Sequence, residues 1–175
     1  MNTANKLTLL RVAMIPLFLS VLYWGFPGSN YAALTIFVLA SLTDLADGYI
    51  ARHYNQVTDF GKFMDPLADK VLVVTAMLWF VECGRLPAWA VAIVIFREFA
   101  VSGMRLIAAE RGRVIAAGWS GKVKTASTMV GLCLMFLPLP ASISAVCVAV
   151  IVVTTLYSGI EYFIKNRDIM DWSNL

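Results

Sequence analysis

Long apolar runs alternate with short polar breaks along this chain, and the breaks mark its turns. Apolar residues run from Leu7 to Trp24, interrupted by Arg11, and Phe26-Pro27-Gly28-Ser29-Asn30 follows as a turn by composition. Tyr31 to Leu42 is apolar but too short to cross a bilayer alone. Carried on to Tyr54, it gives about 24 residues, roughly 36 Å of helix against a hydrocarbon core of about 30 Å. Asn55 to Lys62 is the next connection, and a third span runs from about Asp65 to Val81. Pro66 suits a first helical turn with Asp65 as its cap, and a start near Phe60 with a kink fits equally well. Glu82 to Pro87 turns the chain, and a fourth span runs from Ala88 to about Ala109. A polar, basic stretch from Glu110 to Lys124 leads to a fifth span, Thr125 to Leu137, closed by Pro138-Leu139-Pro140. The sixth runs from Ser142 to Phe163. This pattern predicts an all-α polytopic membrane protein, a single domain over 1–175 whose six transmembrane helices form a bundle.

Composition agrees with a membrane setting: 60% of residues are hydrophobic and 14% charged, with a mean hydropathy of +0.77. The net charge of +3 is small, but its placement orients the chain. With a cytosolic N-terminus, Arg85 is the one member of the 14 lysines and arginines that falls in an outer turn. Both termini and the breaks around 55–62 and 111–122 are then cytosolic. Trp24, Trp79 and Trp89 sit near outer span ends and Trp119 near an inner one, as interfacial anchors do. The first apolar run begins like a secretory signal, yet Arg11 interrupts it and no small-residue cleavage site follows Trp24, so it is read as a retained span. Cys83, Cys133 and Cys147 lack metal-ligand or redox spacing and read as packing residues. His53 is the lone histidine, which excludes a histidine-based metal site or triad. Gly118 to Lys122 resembles the end of a phosphate-binding loop, but Ala116 stands where its first glycine belongs and no strand precedes it. Nucleotide hydrolysis is therefore not expected, nor is a nucleic-acid partner.

The polar chemistry concentrates between Asp44 and Asp69. On a helix, Asp44, Asp47, Gly48, Ala51 and Arg52 share one face, and Gly61, Asp65 and Asp69, spaced by four, form a second stripe. Acids inside or at the edge of a membrane are costly and mark a site, here on the cytosolic side. Two facing stripes would gather four carboxylates, which only a strongly cationic partner would hold ionised together. Oxygen ligands without histidine or cysteine favour a hard divalent ion, Mg²⁺ or Mn²⁺.

These residues follow the pattern D-x2-D-G-x2-A-R-x8-G-x3-D-x3-D at every fixed position, and the chain thereby resembles the CDP-alcohol phosphatidyltransferase family. The resemblance implies attack by an alcohol on the diphosphate of a CDP-linked lipid, releasing CMP, in a bacterial inner membrane. It implies two divalent ions held by Asp44, Asp47 and Asp65, with Asp69 beside them as general base or fourth ligand. It also implies that the CDP-lipid lies against Asp44, Gly48, Ala51 and Gly61, with Thr8 nearby and Arg52 on its phosphates, and that the protein is a homodimer.

The acceptor is read from a second group. Arg105, Arg111, Arg113, Lys122, Lys124 and Thr125 gather on the cytosolic side, while Arg97 interrupts the fourth span next to Glu98. Positive-inside bias accounts for some of them, but not for Arg97 and Arg105 in or at the end of an apolar span. A phosphate-bearing acceptor held by Arg97, Arg105, Lys122, Lys124 and Thr125 gives the group a purpose, although Arg97 paired only with neighbouring Glu98 or with Asp69 fits the sequence equally well. The wider chain, including Asn5-x2-Thr8-x2-Arg11 and Gly121-Lys122-x-Lys124-Thr125, is similar to bacterial family members that use sn-glycerol 3-phosphate. CDP-diacylglycerol and that acceptor are thus the expected substrates, and phosphatidylglycerol phosphate and CMP the products. Inositol phosphate or serine as acceptor is the alternative within the family. A divalent-cation transporter is an alternative outside it, against which stands the lack of acids lining an outer half-path.

Overall fold

The computed structural model describes residues 3–53, 58–116 and 118–169; within them, the side chains of 3–4, 44–53, 59 and 62 are not described. The described residues form six α-helices and no strand. These are α1 (Thr3–Trp24), α2 (Ser29–His53), α3 (Asp59–Glu82), α4 (Ala88–Glu110), α5 (Trp119–Phe136) and α6 (Ala141–Lys165), followed by a short 3₁₀ turn, η1 (Arg167–Ile169). The all-α expectation holds. Among the described residues, Asn5–Trp24 and Ala141–Lys165 are long and apolar enough to cross a membrane, and Ser29–Thr43 is a shorter apolar stretch.

One boundary that the sequence left open is decided, and another differs from the sequence reading. α3 starts at Asp59, the alternative near Phe60 rather than the one at Asp65, because Thr58 caps it: the Gly61 amide donates to Thr58 Oγ1 at 3.0 Å. Pro66 therefore lies inside the helix, where it lacks the N–H that would reach the carbonyl of residue 62. Most of the expected 55–62 connection is helix or lies outside the described residues. α5 starts at Trp119 and not at Thr125, so Lys122, Lys124 and Thr125 belong to its first two turns.

The chain forms two compact units. One comprises Met1–Trp79 with Phe136–Pro138. Its core joins Phe18 of α1, Phe37 of α2 and Phe136, all fully buried, with ring centroids 5.8 to 6.2 Å apart. Tyr23 meets Trp79 edge-on at 5.3 Å.

The other comprises Phe80–Met135 with Leu139–Leu175. Val101, Met104 and Ala108 of α4 pack there against Tyr162 of α6 and Ile169 of η1. Gly131 brings α5 close to α6, since a Cβ at this position would lie 3.0 Å from Ile151 Cδ1. Ser127 and Thr154 bridge the same pair of helices at 2.9 Å. α3 and α4 end alike. Gly84 (φ 68°) and Gly112 (φ 69°) take the left-handed conformation, and the following arginine amides return to the carbonyls of Phe80 and Ala108 at 2.9 and 2.8 Å. Each of those arginines is then used: Arg85 donates to Ser144 Oγ at 3.0 Å, and Arg113 to Asp168 Oδ2 at 2.6 Å.

Candidate active site

α2 is one continuous helix through Asp44, Asp47, Gly48, Ala51 and Arg52, so its register sets all five along one face. Their side chains lie outside the described residues. On α3, Asp65 and Asp69 fall one turn apart, both half-buried. Asp65 has a fixed orientation. Thr8 of α1, buried to 1% exposure, donates from Oγ1 to Asp65 Oδ1 at 2.6 Å. Such a charge-assisted bond to one carboxylate oxygen leaves the other, Oδ2, for a further partner.

A second tie joins the same two helices. Thr58 Oγ1 donates to Asn5 Oδ1 at 2.8 Å while accepting from the Gly61 amide. Gly61 is buried beneath this cap: a Cβ there would lie 3.3 Å from Thr58 Oγ1 and 3.5 Å from both Asn5 Oδ1 and Asp65 Oδ2. The glycine thus makes room for the side chains that set Asp65, whatever substrate it also meets. Sequence reasoning missed Thr58 and Asn5 as site supports. A threonine three residues before a glycine at a helix start was the available sign, whereas the contact from Thr8 to Asp65 spans too much sequence for any local pattern.

The expected acceptor residues divide. Arg97 and Lys124 converge on Glu98: Arg97 Nη1 donates to Glu98 Oε1 at 3.2 Å, and Lys124 Nζ donates to the same oxygen. Arg97 Nη2 reaches Ser158 Oγ at 2.6 Å, while its buried Nε has no hydrogen-bond partner. Two glycines make the slot for this arginine. A Cβ at Gly159 would meet Arg97 Cγ at 3.3 Å, and one at Gly121 would meet Nη2 at 3.7 Å. Arg105 stands elsewhere on α4, its Nε donating to Tyr162 Oη at 3.3 Å and its guanidinium 5.7 Å from that ring. Lys122 is exposed, 6.0 Å from the Trp119 ring, because two residues along a helix turn it to the side opposite Lys124. Thr125 is also exposed and returns its hydroxyl to the Gly121 carbonyl. No described contact joins Lys122 or Thr125 to the cluster at Glu98. Arg113 has a structural partner, and its guanidinium holds the Asp168 carboxyl below the usual carboxylate range.

Among the described residues, no three acids, histidines or cysteines converge as a metal-binding group. The three cysteines are free thiols.

The chain matches the sequence profile of a family described as CDP-alcohol phosphatidyltransferase over residues 1–157. It is 41% identical over 193 aligned positions to the CDP-diacylglycerol–glycerol-3-phosphate 3-phosphatidyltransferase of Bacillus subtilis, covering 99% of both chains. The Escherichia coli protein of the same name is 41% identical over 182 positions, covering 97% of this chain and 98% of that one. A probable phosphatidylglycerophosphate synthase of Mycobacterium tuberculosis is 41% identical over 175 positions, covering 96% and 83%.

Proposed function

This chain belongs to the CDP-alcohol phosphatidyltransferase family, and on that premise we infer that it moves the phosphatidyl group of CDP-diacylglycerol onto sn-glycerol 3-phosphate. The products are phosphatidylglycerol phosphate and CMP. The observation that carries this reading is 41% identity, over essentially the whole of both chains, to enzymes named for that reaction.

The donor chemistry of the aspartate stripes fits Mg²⁺ or Mn²⁺: only carboxylate oxygens are offered, and Thr8 leaves Asp65 Oδ2 available. Asp44, Asp47 and Asp65 would hold two such ions, with Asp69 beside them. When bound, they neutralise the diphosphate and the departing CMP. The rest falls to the chain itself. Thr8 holds Asp65 in one orientation, as outer partners do for metal ligands. Gly48 and Ala51 carry little bulk, so the cytidine lies close to α2, and Arg52 pairs with the nucleotide phosphates. The acceptor hydroxyl oxygen bonds to the phosphorus bearing diacylglycerol, the bond from that phosphorus to CMP breaks, and Asp69 takes the hydroxyl proton. Arg97 and Lys124, which meet at Glu98, bind the acceptor phosphate, with Arg105 about two turns further along α4; Lys122 and Thr125, exposed and turned away from Glu98, are dropped from the expected set.

All six helices are read as membrane spans of a homodimeric, multi-pass enzyme with both termini cytosolic. In support, α4 exposes Phe96 and Phe99 to 75% and 73%, and α6 exposes Val153, Ile160 and Ile164. So much apolar surface is ordinary toward lipid and unusual toward water. The test is CMP release by the purified protein with CDP-diacylglycerol and Mg²⁺, comparing acceptors. Release with sn-glycerol 3-phosphate should exceed that with inositol phosphate or serine by roughly tenfold or more, stop on chelation and return with added Mg²⁺ or Mn²⁺. Faster release with another acceptor would reassign the substrate.

A further inference from the structure

Two cations and one carboxylate meet where α4, α5 and α6 pack together. Arg97 and Lys124 both donate to the single oxygen Glu98 Oε1. Their side chains are only 13% and 7% exposed. Two like charges drawn to one oxygen repel each other, and in a poorly solvated place that repulsion is costly. Among the described contacts, two cations share one carboxylate oxygen, and Arg97 Nε is buried with no hydrogen-bond partner. From α6 the Ser158 hydroxyl joins them. Two cations with an unused donor suit an anion that arrives later.

We propose that Glu98 is a positioning residue for the acceptor: its carboxylate holds Arg97 and Lys124 together, ready to receive the acceptor's phosphate. This rests on the acceptor reading given above, and adds to it a residue that does not touch the substrate. Without the Glu98 charge, Arg97 and Lys124 spread apart and the phosphate meets them one at a time.

The assay is steady-state CMP release by the purified full chain, varying each substrate in turn. Glu98→Gln should raise KM for sn-glycerol 3-phosphate by about tenfold, the worth of a charge-assisted contact, while KM for CDP-diacylglycerol moves less than about twofold. Glu98→Asp, which keeps the charge, should fall between Gln and the native enzyme. In a Lys124→Ala background, Glu98→Gln should add little, because the residue it positions is gone. The exchange Glu98→Lys with Lys124→Glu restores an ion pair, so it should restore the yield of folded protein but not acceptor affinity. If that exchange restores native KM, or if Glu98→Gln raises both KM values alike, Glu98 is a brace of the fold and the proposal fails. If Lys124→Ala raises KM for sn-glycerol 3-phosphate and Glu98→Gln does not, the positioning role alone is overturned. If neither Lys124→Ala nor Arg105→Ala changes it, the acceptor reading falls and this inference falls with it.

Discussion

Asp65 shows how a candidate site carboxylate is set by residues that carry no charge. Its carboxylate takes a hydrogen bond from Thr8, and the start of its helix is closed by Thr58, which in turn donates to Asn5. Thr58→Ala removes one cap, which usually costs about 1 kcal/mol, and leaves Asn5 without this donor. The thermal midpoint of the purified protein should fall modestly and CMP release should fall with it, whereas Thr58→Ser should preserve both. An unchanged alanine variant would mean that the cap does not position Asp65. The aspartates themselves were legible because their spacing is local, a matter of three- and four-residue steps. The cap was not, because Pro66 with Asp65 before it reads as a helix start just as well. Only the bond from Gly61 to Thr58 decides between them.

Helix contacts in the second unit depend on small residues and buried hydroxyls, and so gave little signal in a chain this apolar. α5 is the clearest case. Its basic first turns read as loop, yet one helix keeps Lys122 in the open and buries Lys124 against Glu98. Gly131 sets the distance from α5 to α6. Alanine there has opposing effects: better helix propensity gains up to about 1 kcal/mol, and overpacking against Ile151 costs about 1–3 kcal/mol. Overpacking should win, with Gly131→Ala lowering stability by about 1 kcal/mol and Gly131→Leu giving little folded protein. Thermal unfolding in detergent measures both, and a stabilised alanine variant would mean that Ile151 swings away freely.

For the molecule as a whole, the charge distribution predicts a cytosolic active site, and Cys83 offers a built-in probe of it. This exposed thiol lies in the turn after α3, on the expected outer side. Burial, with the Glu82 charge adding to it, raises its pKa above the ordinary thiol range, so less thiolate is present at neutral pH. In sealed right-side-out vesicles lacking Cys133 and Cys147, an impermeant maleimide should label Cys83. It should do so more slowly than a cysteine placed at Ser29, with the difference closing as pH rises. Labelling only after permeabilisation would invert the orientation. The six-helix pattern, the aspartate motif and the pairing of Arg97 with its neighbour Glu98 were thus readable from composition and spacing, while the pairing of Lys124 with Glu98 required helices distant in sequence to meet. The central claim, that the aspartate stripes carry out the transfer with divided roles, is tested most directly by pairing two measurements on Asp44→Asn and Asp69→Asn. Calorimetry reports Mg²⁺ and CDP-diacylglycerol binding, and CMP release reports turnover. Asp44→Asn should lose metal and nucleotide binding together. Asp69→Asn should bind both nearly as the native protein does while turnover falls by roughly 10²- to 10⁴-fold, the worth of a positioned base. Loss of binding in Asp69→Asn as complete as in Asp44→Asn would contradict that division and make Asp69 a ligand.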